Sequence, residues 1–232
     1  MRLYPVWQFA HEGPYTTVYE ALLAVRHLTP QQLAVGPEAL HRPELLTDLA
    51  RAATRIEESI RRREMIVVFG DYDVDGISST AVLLDFLETC GAPCDYILPD
   101  RHNDGYGIKP DGLRRALAKG AELIVTVDNG ISAFEALELA KAEGVDVIVI
   151  DHHAQTRELP PAHSIVNPNR RDCDYPFKGL AGVGVTFKMV QALSEAFMDT
   201  AQRRVYLNGL LDLVALGTVA DVAPVLDENR VL

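Results

Sequence analysis

Short apolar runs alternate with amphipathic stretches along most of the chain. The runs are rich in Val, Ile and Leu and predict β-strands over residues 65–69, 94–98, 123–127, 147–150 and 164–166. Helical periodicity predicts helices over 77–90, 110–119, 132–143, 185–197 and 205–219. Continuous apolar strands joined by helices indicate an α/β fold: a mostly parallel open sheet with helices on both faces.

The segment before the first strand has a different pattern and predicts a helical lead-in. Prolines interrupt the first forty or so residues and leave a short helical stretch over 17–26. An apolar stripe over 43–63 then predicts one long amphipathic helix. We therefore divide the chain into a lead-in, 1–63, which packs on the sheet, and an α/β domain, 64–232.

Composition indicates a soluble globular protein. No apolar stretch reaches the roughly 20 residues of a membrane span, and the N-terminus shows no export signal. The 3 cysteines cannot all pair internally, and we interpret them as reduced thiols. We therefore expect a cytoplasmic protein with no membrane contact.

The net charge of −11 at first argues against a polyanionic partner. Proteins that bind nucleic acids usually present a basic face. Divalent ions would return positive charge to an acidic site, however, and part of the acidity then belongs to metal ligands. The basic clusters at 61–63, 170–171 and 203–204 are interpreted as solvated surface. Charge alone does not decide the substrate.

Three acidic motifs each follow one of the predicted strands. They are Asp71-Tyr-Asp73-Val-Asp75-Gly76, Val127-Asp128-Asn129-Gly130 and Asp151-His152-His153. Parallel strands end at a common sheet edge, so we expect these motifs to lie together. Clustered carboxylates repel each other unless cations neutralise them. The pattern therefore predicts a divalent metal site and a metal-dependent hydrolase.

Each motif also has a simpler interpretation. The first resembles the start of a calcium-binding EF-hand loop, but that loop needs a glutamate six residues after its glycine, where this chain has Val82, and a helix before it. Asp128-Asn-Gly is a common turn sequence. The paired histidines could be ordinary surface residues. The shared sheet edge favours the metal site over all three.

Taken together, the motifs resemble the DHH phosphoesterase superfamily. Within it, Pro168-Asn-Arg-Arg-Asp-Cys173, Leu180-Ala-Gly-Val-Gly-Val185 and Leu213-Val-Ala-Leu-Gly-Thr-Val-Ala-Asp-Val222 resemble the RecJ family of bacterial single-strand-specific 5′→3′ exonucleases. The resemblance runs from about Arg55 to the last residue. The DHHA1 and OB-like domains of that family have no counterpart here, so we expect a truncated, N-terminal catalytic part.

The resemblance implies two ions and a role for each polar residue of the motifs. Asp73 and Asp128 would hold one ion, with Asp71 close by. Asp75, Asp128, His152 and Asp221 would hold the second, so that Asp128 bridges. His153 would face the scissile phosphate, and Asp151 would orient the histidines. The implied catalytic residues are Asp73, Asp75, Asp128, His152, His153 and Asp221.

The resemblance also implies cofactors and partners. Two divalent cations, Mn²⁺ in preference to Mg²⁺ because of the imidazole ligand, would activate a water for in-line attack on phosphorus. Single-stranded DNA would be the substrate, in repair and recombination, with single-stranded-DNA-binding protein and a helicase as partners. Arg101 would bind a phosphate. Backbone amides at Gly182 and Gly184 would do the same, although tight helix packing explains these glycines equally well.

Two other functions stay open. Small-substrate DHH phosphoesterases act on oligonucleotides, cyclic dinucleotides or pyrophosphate, and usually carry a His-x-x-x-Asp-x-Asp motif. Phe69 occupies the histidine position here, which favours the RecJ form. A catalytically weak interaction module is the third hypothesis, but such relatives have lost metal ligands and this chain retains them.

Overall fold

A five-stranded parallel sheet lies at the centre of the computed structural model, which describes residues 13–34, 36–100, 105 and 107–232. The strands are β1 (Ile66–Phe69), β2 (Cys94–Ile97), β3 (Leu123–Val127), β4 (Asp146–Ile150) and β5 (Ser164–Val166). Their spatial order is β2-β1-β3-β4-β5, and every neighbouring pair is parallel. The predicted α/β class is therefore confirmed.

Helices precede the sheet, connect most of its strands and continue after β5. They are α1 (Val18–Val25), α2 (Pro30–Leu33), α3 (Leu49–Arg62), α4 (Val74–Thr89), α5 (Pro110–Ala118), α6 (Phe134–Ala142), α7 (Gly182–Phe197), α8 (Thr200–Gly209) and α9 (Leu211–Ala220). Short 3₁₀ turns occupy Pro37–Ala39, Pro43–Leu45 and Asp227–Arg230. Within the described ranges, no helix is both long enough and apolar enough to span a membrane.

Successive strand residues enter two separate apolar layers, one on each face of the sheet. In β1, Ile66 and Val68 join the layer that contains residues of α3, α4, α7 and α9, whereas Val67 and Phe69 join the layer of α5 and α6. All four side chains are buried. Helices thus cover both faces, as the continuous apolar strands predict.

The lead-in helix packs on the domain. Helix α3 contacts α7 and β5 and contributes Leu49, Ile56 and Ile60 to the first apolar layer. The division of the chain into a lead-in, 1–63, and a domain, 64–232, stays a prediction. The helix is shorter than predicted, because Pro43–Leu45 forms a 3₁₀ turn and Asp48 adopts a left-handed conformation with φ 64° just before Leu49.

Two other helices begin earlier than the sequence pattern predicts, and both changes affect the site. Helix α4 begins at Val74 rather than at 77, because Asp73 is extended and its side chain caps the helix by accepting the Gly76 amide at 2.9 Å. Helix α7 begins at Gly182 rather than at 185. The end of the first acidic motif and most of the glycine motif therefore lie in the first turns of helices.

The last predicted helix, 205–219, is two helices. Helices α8 and α9 meet at Leu210, directly after Gly209. Glycine is a weak helix former, and the break lets α9 turn back to pack against α4 and α7. This packing brings Asp221, the residue after α9, to the edge where the acidic motifs lie.

Candidate metal centre

Strands β1, β3 and β4 are neighbours whose C-terminal ends lie side by side. Phe69 pairs with Thr126, and Val127 pairs with Ile150, so that the residues that follow each strand leave the sheet at one edge. All three motifs therefore come together as predicted. Asp71, Asp75, Asp128 and Asp151 are all buried there.

Asp128 lies in the middle of the cluster. Its backbone has φ 61°, a conformation that residues other than glycine adopt infrequently. Its Oδ1 lies 3.2 Å from His152 Nε2, which is in turn 3.7 Å from Asp75 Oδ2. His152 Nδ1 lies 4.0 Å from Asp221 Oδ2. The structure thus brings together Asp75, Asp128, His152 and Asp221, the set expected for the second ion.

Possible ligand atoms form three groups, and the atoms within each group all lie within 4.8 Å of one another. The groups are Asp71, Asp73 and Asp128; Asp75, His152 and Asp221; and Asp128, His152 and His153. The first two correspond to the two ion sites that the family resemblance implies, except that Asp128 is absent from the second and is grouped with His152 in the third. The individual ligand roles stay predictions.

Two backbone amides hold Asp75 in place. Gly182 donates to its Oδ2 at 2.7 Å, and Val183 donates to its Oδ1 at 2.8 Å. These amides belong to the first turn of α7 and lack helical acceptors of their own. The sequence gives no signal for this contact, because its partners are more than a hundred residues apart in the chain.

Asp151 contacts both the ring and the backbone of His153 but only the backbone of His152. Its Oδ1 lies 2.7 Å from His153 Nδ1 and also accepts the backbone amides of both histidines. Its Oδ2 accepts the Ile131 amide at 2.9 Å. Burial acts to raise the pKa of Asp151, but the hydrogen bond and charge of His153 lower it. Asp151 therefore orients one imidazole ring and the backbone of the other.

Sequence reasoning overlooked three asparagines. Asn129 donates to the carbonyls of Phe69 and Val127, which joins the ends of β1 and β3. Asn167 and Asn169 donate to the carbonyls of His153 and His152. Asn129 and Asn167 are buried. Asn129 and Asn169 lie inside the quoted motifs, which was the available signal for them. A buried amide such as that of Asn129 needs hydrogen-bond partners.

Burial and, after it, mutual repulsion disfavour the ionised forms of the clustered carboxylates. Burial, followed by the charges of Asp75 and Asp73, raises the pKa of Asp128 to about 10. Burial also raises the pKa of Asp75 and of Asp71. A divalent cation among these groups would relieve the repulsion and favour the ionised forms.

The donor set fits such cations. Several carboxylates and one or two imidazoles suit Mn²⁺ and related divalent ions. His152 Nε2 is buried and, within the part of the chain that the structure describes, makes no hydrogen bond, since its 3.2 Å approach to Asp128 Oδ1 does not have hydrogen-bond geometry. A buried nitrogen of this kind is accounted for when it serves as a metal ligand.

The predicted substrate contacts have different outcomes. Arg101 lies outside the described residues. Gly182 gives its amide to Asp75, which favours the packing interpretation for this glycine. Gly184 is buried and faces Leu180. Contact of either glycine with a phosphate stays a prediction.

Comparison with known proteins identifies a family that this chain matches. The model of the DHH family, N-terminal domain, matches residues 65–218. The single-stranded-DNA-specific exonuclease RecJ of Bacillus subtilis is 43% identical over 190 residues, which cover 82% of this chain and 23% of that protein. RecJ of Escherichia coli is 44% identical over 194 residues, covering 81% and 34%. The chain thus spans about a quarter to a third of the length of these relatives.

Solved structures agree. Exonuclease RecJ bound to manganese superposes with a TM-score of 0.72 at 36% identity, over 83% of this chain and 46% of that one. RecJ from Thermus thermophilus in complex with Mn²⁺ gives a TM-score of 0.70 at 32% identity, over 90% and 29%. A structure of RecJ from the same organism in complex with Mg²⁺ also matches, at 30% identity with a TM-score of 0.52 over 86% and 27%.

Proposed function

The chain belongs to the DHH family, and from that premise we propose that it carries the metal-dependent phosphodiesterase site of a 5′→3′ exonuclease that acts on single-stranded DNA. The observation that carries the proposal is the convergence of Asp75, Asp128, His152 and Asp221 at the sheet edge. The similarity to RecJ proteins, whose names specify single-stranded DNA, supports the choice of substrate.

We assign two divalent cations to the cluster. Asp71, Asp73 and Asp128 would hold one; Asp75, Asp128, His152 and Asp221 would hold the other. When bound, such ions supply Lewis acidity to the attacking water and to the phosphate oxygens. Mn²⁺ is proposed over Mg²⁺ because His152 contributes nitrogen to the set. The carboxylates would fix the positions of the ions.

His153 is proposed to contact the phosphate. Burial acts to lower its pKa, but the hydrogen bond and charge of Asp151 outweigh burial and raise it. The pairing with Asp151 therefore favours the protonated, cationic ring. A cation at this position would bind a phosphate oxygen and stabilise charge that develops on it.

The resemblance extends the proposal to the cellular setting. We infer a cytoplasmic role in DNA repair and recombination, with single-stranded-DNA-binding protein and a helicase as partners. These assignments rest on likeness to the RecJ family and not on a surface of this chain. They apply to a protein that contains this chain as its catalytic part.

The test is hydrolysis of end-labelled single-stranded DNA, duplex DNA and a small phosphodiester with Mn²⁺, with Mg²⁺ and with EDTA. We expect Mn²⁺-dependent release of nucleotides from the 5′ end of the single strand. Asp128→Ala should abolish it, whereas Asp174→Ala, which changes an exposed aspartate outside the cluster, should not. Hydrolysis of the small diester alone would favour the small-substrate alternative, and no metal-dependent hydrolysis would contradict the proposal.

A further inference from the structure

Three helices approach the metal centre with a glycine at the point of contact. Gly76 in α4 faces Asp71, Gly182 in α7 faces Asp128, and Gly217 in α9 faces Asp75. A Cβ atom on Gly182 would lie 2.5 Å from Asp128 Oδ1 and 2.8 Å from its Cγ. These distances are shorter than van der Waals contact, so only a residue without a side chain allows this approach.

Gly182 touches both central carboxylates at once. Its amide N–H donates to Asp75 Oδ2 at 2.7 Å, while its Cα faces the side chain of Asp128. The adjacent Val183 amide holds the other oxygen of Asp75 at 2.8 Å. Both oxygens of Asp75 are therefore fixed by α7, and the N-terminal end of that helix also favours their negative charge.

Gly217 supports the same arrangement from α9. A Cβ atom there would lie 2.8 Å from Val183 Cγ1 and 3.1 Å from Asp75 Oδ1. A side chain at this position would push both on Val183, which supplies an amide donor, and on Asp75, which accepts that hydrogen bond. Helices α7 and α9 can thus pack this closely around Asp75 only because both contact positions are glycine.

We propose that Gly182, supported by Gly217, is a positioning residue that sets the spacing of the Asp75 and Asp128 carboxylates. The amide fixes one carboxylate, and the bare Cα sets how closely the helix approaches the other. This proposal rests on the proposed function, because it treats both carboxylates as cation ligands. It assigns to the glycine motif a role inside the protein instead of a contact with phosphate.

The test is Mn²⁺ binding, measured by electron paramagnetic resonance of the free ion, together with thermal unfolding in EDTA. Gly182→Ala should weaken Mn²⁺ binding by about tenfold or more, as loss of a residue that orients a ligand does. Val190→Ala is the control, because it disturbs a buried position of the same helix that lies outside the acidic cluster. It should leave Mn²⁺ binding unchanged.

Clear outcomes would overturn the proposal. A folded Gly182→Ala protein with the parent affinity would do so, and so would equal weakening by Val190→Ala. If Gly182→Ala does not fold, Gly217→Ala provides the same comparison, and parental affinity in that folded variant would count against the proposal.

A measurement without metal separates this inference from the proposed function. Amide hydrogen exchange of Gly182 and Val183, followed by NMR in EDTA, should be slow in the parent and fast in Asp75→Ala. Equally fast exchange in both proteins would refute the positioning role. A parent that binds no Mn²⁺ but shows the slow exchange would instead refute the metal-dependent function and leave the carboxylate geometry intact.

Discussion

The side-chain amide of Asn169 donates a 2.6 Å hydrogen bond to the backbone carbonyl of His152. Asn167 makes the equivalent bond to His153 at 2.9 Å, and its Oδ1 accepts the backbone amide of Asn169. The loop after β5 therefore holds the main chain of both histidines. Arg170 anchors this loop through ion pairs with Asp48 at 2.6 Å and Asp172 at 2.7 Å.

Asn169→Asp should reduce Mn²⁺ affinity and nuclease activity by about tenfold or more. The variant keeps the shape of the side chain but replaces the donor with a carboxylate that repels the His152 carbonyl. Titration with Mn²⁺ and rates of single-strand hydrolysis would measure the change. Asn208→Asp, on the exposed surface of α8, is the control. Parental affinity in a folded Asn169→Asp protein would show that the bond does not position His152.

Asp128→Ala should remove catalysis without unfolding the domain. The residue belongs to ligand groups on both sides of the cluster, so its loss affects both proposed ions. Burial and the charges of Asp75 and Asp73 disfavour the ionised Asp128 carboxylate and raise its pKa, so removing this group should raise the unfolding temperature in EDTA. Calorimetry and single-strand hydrolysis check the two parts. Activity within about tenfold of the parent, roughly 1.4 kcal/mol in the barrier, would exclude Asp128 as a bridge.

How much of this site the sequence predicts depends on the kind of contact. Asp71, Asp128 and Asp151 were predictable because each follows a strand, and parallel strands end at one edge. Asp221 was not predictable from spacing, since a helix break at Leu210 decides where α9 lies. It entered the predicted set only through the family resemblance.

Hydrogen bonds between distant segments were beyond the sequence pattern. The amide of Gly182 and the carboxylate of Asp75 meet only after α4 and α7 have packed together. Nothing in residue periodicity specifies that register. The start of α4 was misplaced for a local reason: Asp73 caps the helix, so a residue read as part of a loop motif also begins it.

The pH dependence of stability should include a contribution from Asp172. A hydrogen bond from Arg170 holds the pKa of this carboxyl below its usual value, although burial acts in the opposite direction. The folded pKa is therefore lower than the unfolded one, about 3.9. The resulting stabilisation is present above that pH and is lost as the pH falls through the folded pKa.

Asp172→Asn should accordingly lower the unfolding temperature at neutral pH, and its difference from the parent should shrink below about pH 4. Thermal unfolding in EDTA across this range measures it. Asp174→Asn changes an exposed aspartate two positions further on and serves as the control. A difference that does not depend on pH would mean that the ion pair with Arg170 contributes nothing to acid sensitivity.

A buried ion pair joins α7 to the C-terminal 3₁₀ turn. Lys188 Nζ lies 2.6 Å from Glu228 Oε2, and both side chains are 0% exposed. The Tyr175 hydroxyl donates to the other oxygen of Glu228 at 2.6 Å, and Lys188 also donates to the His41 carbonyl at 2.8 Å. The pair therefore connects the lead-in, helix α7, whose first turn donates to Asp75, and the C-terminal 3₁₀ turn.

Lys188→Met should lower the free energy of unfolding by about 3–5 kcal/mol, because Glu228 would remain buried without its cation. Lys188→Met combined with Glu228→Gln should recover much of the loss, since no uncompensated charge is left. Urea unfolding in EDTA measures both. Arg203→Met, which breaks a more exposed pair with Glu195, should cost less than about 1 kcal/mol. If Lys188→Met costs no more than this surface variant, the buried pair does not stabilise the junction between the lead-in and α7.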